Sequence, residues 1–295
     1  MPTSQRRHNL AAILWMLVAV GALSLMDGAM KWLSPHYPPL EVAALRGAAS
    51  LPIVLAWIGF AGGFRQVLSR RWLLHLVRGV LSVAMLGCFI FAVRALPLAS
   101  AYSIFFVSPL LITALSGPLL GERVDARRWA AIAAGMVGVL VVLRPTGAGT
   151  LTLAGAAVLL SSCCYALSVI AVRVLGRTDS TLCMMFWFIV QVTLGAGALA
   201  APRWVPLQPA HWPVLAVLAI TGAGGQYAIT EAFRRGEASV VAPFEYTALG
   251  WGMALDWLLW STRPEAGRLA GTAIIVAAGL YLIRRESVHV EAEHP

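Results

Sequence analysis

The chain has 295 residues, 59% of them hydrophobic and only 12% charged, with a mean hydropathy of +0.79. A soluble domain keeps about a quarter of its residues charged, so this composition excludes a soluble globular protein and fits a chain whose exterior faces lipid. The formal net charge of +9 does not point to nucleic acid, because the basic residues fall in short clusters between apolar stretches, as in membrane loops.

A bilayer-spanning helix needs about 20 mainly apolar residues. Ten segments approach that length: 10–32, 40–60, 72–92, 97–118, 128–143, 151–172, 181–200, 212–233, 239–260 and 269–283. The first follows Arg6 and Arg7, is too long for a signal-peptide core and precedes no small-residue cleavage site, so it is expected to remain as the first spanning helix. Proline removes a backbone donor and leaves a carbonyl unpaired, so the fourth segment at Pro109 and the ninth at Pro243 are expected to bend or open. Connections are short and leave no room for a soluble domain; residues 286–295 form a polar tail. Trp32, Tyr37, Trp57, Trp72, Trp129, Trp212, Trp260 and Tyr281 lie near segment ends, where amphipathic rings settle at headgroup level. Cys88, Cys163, Cys164 and Cys183 all sit inside apolar stretches without metal-ligand spacing and read as packing residues.

Orientation follows from the basic residues. With the N-terminus in the cytoplasm, the cytoplasmic side collects Arg6-Arg7, Arg65 with Arg70-Arg71, Arg123 with Arg127-Arg128, Arg173 with Arg177, Arg234-Arg235 and Arg284-Arg285. The outer side collects Lys31, Arg94, Arg144, Arg203, Arg263 and Arg268, which makes fourteen against six and leaves Arg46 and Arg78 inside the membrane. Both termini come out cytoplasmic, as expected of a multi-pass protein of a cell inner membrane.

The two halves resemble each other. Ala99-Ser100 and Ala238-Ser239 are separated by 139 residues, Gly138 and Gly279 by 141, and Lys31 and Arg173 by 142. A nearly constant offset suggests a duplicated unit of five helices: residues 1–145 and 146–285, followed by the tail 286–295. An odd number of helices forces the second copy to enter from the opposite face. Inverted repeats of this kind place a binding site between the copies and let them rock around it. The fold class expected is thus all-α integral membrane, with ten transmembrane helices as two inverted five-helix repeats.

Sequence motifs sharpen this. The first half carries Arg94-Ala-Leu-Pro-Leu-Ala-Ser, Ser108-Pro109-Leu-Leu, Leu120-Gly121-Glu122-Arg123 and Gly135-Met-Val-Gly138-Val-Leu-Val-Val-Leu-Arg144-Pro145. The second carries Ala242-Pro243-Phe244-Glu245-Tyr246-Thr247-Ala248-Leu249 and Gly271-Thr-Ala-Ile-Ile-Val-Ala-Ala-Gly279-Leu-Tyr-Leu. Over nearly its whole length the chain resembles the drug/metabolite transporter superfamily, in its ten-helix EamA branch. It departs where Ser261-Thr262 replaces the Gly-Glu that follows the fourth segment, which warns against giving Glu122 a transport role. The resemblance implies a basket in which helices 1–4 and 6–9 surround a cavity while 5 and 10 lie outside. It also implies secondary transport, often export, of amino acids, vitamins, nucleotide-like compounds or opine-type metallophores.

A charge at helix depth costs about 2.5–3.5 kcal/mol on insertion scales, so it needs a partner or a wet cavity. Asp27, Arg46 and Asp256 fall in the outer half of their segments, and Arg78, Glu231 and Glu245 in the inner half. Each layer thus offers either arginine a carboxylate partner, although Glu231, beside Arg234, reads as solvated. Asp27 and Lys31, four apart on one helix, are expected to pair unless Asp27 serves the cavity. Arg46 and Arg78 are candidates to grip a substrate acid group, since a guanidinium makes two parallel bonds to a carboxylate. Glu245, two residues after Pro243, is the first choice for a transport residue, holding an amine or exchanging a proton. Tyr102, Tyr227 and Tyr246 complete the candidate substrate-binding set, and Tyr165, Trp15, Gln191 and Gln226 are further polar groups at depth.

The expected function is a secondary transporter of a small, zwitterionic metabolite, an amino acid or a derivative such as an opine-type metallophore, directed outward. Its expected partners are that small-molecule substrate, the lipid bilayer and a proton as candidate coupling ion, with no nucleic acid, metal or cofactor. Uptake of a vitamin or nucleotide-like compound is the alternative. An intramembrane enzyme fits poorly: Ala114-Leu-Ser116-Gly117 only approximates a serine-protease motif, and His75 lies near the start of its helix. A structural or sensor protein lacks a soluble reporting domain.

Overall fold

The structure is a computed structural model that describes residues 3–61, 63–120, 153–236 and 241–262, with isolated positions within 129–137 and 269–277. Apart from those positions, the fifth and tenth expected segments lie outside the described residues, as does the polar tail. Within them all regular structure is helical. The long helices are α1 (Thr3–Leu33), α2 (Pro39–Phe60) and α3 (Trp72–Ala95) in the first half, and α6 (Leu153–Leu175), α7 (Thr181–Ala200) and α8 (Trp212–Arg235) in the second. These six are long and apolar enough to cross a membrane. They turn large apolar side chains outward, among them Leu14 and Val18 on α1, Leu76 and Val80 on α3, and Leu194 and Leu199 on α7. Such a surface is stable against lipid and not against water.

The two proline-bearing segments are interrupted. The fourth is split into α4 (Leu98–Phe105) and α5 (Val107–Leu120), with the break at Phe106. A proline at 109 has no N–H to offer the carbonyl of residue 105, where α4 ends. The ninth contains a 3₁₀ stretch, Ala242–Thr247, between the α-helical Val241 and α9 (Ala248–Trp260).

The closest helix partners come from different halves: α1 lies along α8, α2 along α7 and α3 along α6. Small residues set these distances. A Cβ on Gly47 of α2 would stand 3.0 Å from the backbone N of Thr193 and 3.2 Å from the carbonyl O of Ile189 on α7. On α8, a Cβ at Gly225 would stand 2.8 Å from the Leu23 side chain of α1. This is the close backbone approach on which helix association in lipid depends.

Each end of the bundle carries an ionic tie. At one, Lys31 Nζ pairs with Asp256 Oδ1 at 2.7 Å and lies 4.3 Å above the Trp260 ring, while the same carboxylate oxygen accepts the backbone N–H of Leu98 at 3.2 Å. One side chain thus joins α1, α4 and α9, and Lys31 pairs with Asp256 rather than with its helix neighbour Asp27. At the other end Glu231 is buried, 1% exposed, rather than solvated; it binds Arg234 at 3.0 Å and also Arg235 and Thr181.

Candidate functional site

A cavity of about 150 Å³ opens between α1, α2, α3, α4, α6, α7, α8 and the 3₁₀ turn. Its wall is largely aromatic and aliphatic, with Phe89, Phe105, Phe106, Phe188, Tyr102 and Tyr165 among its rings. Two carboxylates and two guanidiniums interrupt that wall: Asp27, Glu245, Arg46 and Arg78. Each comes from a different element, so helix packing and not local sequence brings them together.

The two carboxylates are each held by a tyrosine. Tyr102 donates its hydroxyl to Asp27 Oδ2 at 2.7 Å, linking α4 to α1. Tyr165 donates to Glu245 Oε1 at 2.8 Å, linking α6 to the 3₁₀ turn. Each acid therefore keeps acceptor capacity beyond its tyrosine bond, because a carboxylate offers about four lone-pair sites.

The two arginines are held differently. Arg46, 6% exposed, donates from Nε to Met26 Sδ at 2.9 Å and from Nη2 to Gln226 Oε1 at 3.2 Å. Gln226 is itself oriented by its Nε2 donating to Thr230 Oγ1 at 3.2 Å. Arg78, 3% exposed, donates from Nη1 to the carbonyl O of Met184 at 2.8 Å, and its Nε has no hydrogen-bond partner among the described residues. Both guanidinium carbons lie over one ring, that of Phe188, at 5.2 Å for Arg46 and 5.1 Å for Arg78. Among the described residues neither arginine has a carboxylate within ion-pair distance, contrary to the expectation that each layer supplies one. The acids at the right depth are engaged elsewhere: Asp27 and Glu245 by tyrosines, Asp256 by Lys31, and Glu231 by Arg234 and Arg235. The hydrogen-bond partners of both guanidiniums are thus neutral, and a buried cation held only by neutral groups retains much of its desolvation cost.

Of the sequence-predicted candidates, Asp27, Arg46, Arg78, Tyr102 and Glu245 all line this cavity. Tyr227 is not among the lining residues: its ring packs against Trp57 at 4.4 Å and Trp15 at 5.6 Å. The side chain of Tyr246 lies outside the described residues. Tyr165 and Gln226 line the cavity, whereas Trp15 and Gln191, grouped with them on depth alone, do not. Phe188, Ser24, Ser161, Ser168 and Thr230 also reach the wall, and nothing local in the sequence marks them.

The EamA-like transporter family matches the chain over residues 10–144 and again over 152–285. Among curated proteins the chain is similar to a pseudopaline exporter of Pseudomonas aeruginosa, 28% identical over 276 residues that cover 93% of this chain and 96% of that one. It is similar also to a riboflavin transporter of Vibrio cholerae, 26% identical over 288 residues, 96% of either chain. An S-adenosylmethionine uptake transporter of Rickettsia prowazekii is 23% identical over 289 residues, 97% of this chain and 96% of that one. A solved crystal structure superposes with a TM-score of 0.70 at 19% identity, covering 96% of this chain and 98% of its own, a likeness of fold. The apolar helices, the buried cavity and the two family matches lead to one conclusion: the chain is a multi-pass membrane protein of the EamA-like transporter family, among the drug/metabolite transporters.

Proposed function

We infer that this protein is a secondary transporter of a small zwitterionic metabolite bearing carboxylate groups, such as an amino acid or an opine-type derivative. The observation that carries the reading is the pair of buried guanidiniums over Phe188 without a carboxylate partner among the described residues. In this reading Arg46 and Arg78 receive the substrate's acid groups, and Asp27 and Glu245 receive its amine while Tyr102 and Tyr165 hold them in place. A proton is the candidate coupling ion and Glu245 its candidate carrier. The chain is read as ten spanning helices in two inverted five-helix units, 1–145 and 146–285, in an inner membrane with both termini cytoplasmic. The family matches at 10–144 and 152–285, and the interruption of both proline-bearing segments at the cavity, support that architecture. Export is preferred because the pseudopaline relative is named an exporter.

The aromatic wall favours one second reading, uptake of a flat-ringed vitamin or nucleotide-like compound, as in the relatives named for riboflavin and S-adenosylmethionine.

Counterflow in proteoliposomes decides between them, with amino acids, opine-type compounds, riboflavin and S-adenosylmethionine offered to the purified chain. Exchange of a carboxylate-bearing zwitterion is expected. A charge-assisted hydrogen bond contributes about 1.5–3 kcal/mol, so Arg46→Ala and Arg78→Ala should each raise the half-saturating concentration about 10- to 100-fold. Exchange of riboflavin alone, indifferent to both substitutions, would reject the zwitterion reading in favour of the second.

A further inference from the structure

Away from the cavity, three side chains with metal-ligating atoms meet at the end of the bundle where Arg71 Nη1 donates to the Val174 carbonyl. His75 sits in the first turn of α3, Asp179 in the turn between α6 and α7, and Cys183 in the first turn of α7. His75 Nε2 lies 2.7 Å from Asp179 Oδ2, and Cys183 Sγ lies 4.0 Å from the same oxygen. One ligand atom from each falls within 4.8 Å of the others. Zinc binds imidazole, carboxylate and thiolate at about 2.0–2.3 Å in a tetrahedron, which sets ligand atoms about 3.5 Å apart. The two observed separations bracket that spacing, so side-chain adjustments on the order of an ångström would bring the set onto a common ion.

The surroundings hold these ligands in place. His75 and Cys183 are both 1% exposed, and the Asp179 side chain is 6% exposed. Ser69 Oγ donates to Asp179 Oδ2 at 2.5 Å, and Ser180 Oγ accepts the Cys183 backbone N–H at 3.1 Å. Ser69 and His75 both approach the same Asp179 oxygen and so fix the carboxylate's orientation. His75 Nδ1 is buried with no hydrogen-bond partner among the described residues, leaving imidazole capacity that the protein's own groups do not use.

We propose that His75, Asp179 and Cys183 form a binding site for a divalent cation of the zinc type, separate from the transport cavity. On binding, the His75 ring proton passes from Nε2 to the unpartnered Nδ1, which frees the Nε2 lone pair, and the Asp179 carboxylate contributes a second. The Cys183 thiol loses its proton to solvent as the Sγ–metal bond forms, and water completes the tetrahedron. The set spans α3, from the first half, and α7 with its preceding turn, from the second, so an occupied site clasps the two halves at this end.

The test uses the full chain in detergent, stripped by a chelator and titrated with Co²⁺. The background variant C88S/C163S/C164S leaves Cys183 as its single thiol. Thiolate-to-cobalt charge-transfer absorption reaching one ion per chain, displaced by Zn²⁺, is the expected result. His75→Ala and Cys183→Ser should each weaken binding at least about tenfold, and Cys183→Ser should abolish that absorption. The unsubstituted chain gives a second reading: its melting temperature should rise with Zn²⁺ and return on chelation. Absence of the charge-transfer absorption in the background or the unsubstituted chain, or its persistence in Cys183→Ser, overturns the site and leaves the trio as a hydrogen-bonded tie.

Discussion

Tyr165 shows how a single hydroxyl can prepare a buried acid. It donates to Glu245 from a helix 80 residues earlier in the chain, so Tyr165→Phe keeps the ring's packing against Phe105 while removing the donor. A buried carboxylate that loses a hydrogen bond costs about 1–3 kcal/mol. The variant should melt several degrees lower in detergent, and a melting temperature equal to that of the parent would show that water or another group already satisfies Glu245. Five of the seven candidate site residues reach the cavity because a charge or polar ring at helix depth is costly anywhere else, a constraint that hydropathy alone expresses. Their partners were not legible. Depth along a segment fixes the layer a side chain occupies but not the direction it faces, so it leaves Asp27 open to Lys31 or to the cavity, and offers the arginines acids that are in fact held by tyrosines, lysine or other arginines. Phe188, which carries both guanidiniums, is one apolar residue among many in its segment.

At the scale of the element, the long helices were readable because a run of apolar residues of bilayer length has few other uses. The interruptions at 106 and 242–247 follow from proline's missing donor and were expected near Pro109 and Pro243. Which helices touch was not readable, since small residues permit close approach without naming the neighbour. Gly47 is the sharpest case, because α7 backbone atoms occupy the space its side chain would need. Gly47→Val should separate α2 from α7 at a cost of about 1–3 kcal/mol, visible as a lower melting temperature and a larger aggregated fraction on gel filtration. Valine tolerated there without loss would mean that the helices stand farther apart than in this structure.

For the molecule as a whole, pairing of α1 with α8, α2 with α7 and α3 with α6 makes the seam between the halves the principal packing surface. The proposed inverted arrangement sets single cysteines at Arg94 and at Arg235 on opposite faces of the membrane. In a cysteine-free background, an impermeant maleimide applied to intact cells should therefore label the first and not the second. Equal labelling of both would end the inverted-repeat reading while leaving the family assignment intact. The offset between the halves gave that topology its sequence basis, because related helix ends recur at a near-constant interval. The His75, Asp179 and Cys183 cluster had no such trace, as its first two members stand 104 residues apart.

The Lys31–Asp256 contact carries a kinetic consequence. If the halves rock about the cavity, opening this end means separating a nearly buried ion pair and releasing the Leu98 amide in the same movement. That rupture sits in series with every cycle whatever the cargo. Turnover should then climb more steeply on warming than cargo affinity does, with this latch acting as the clock and the cavity as the filter.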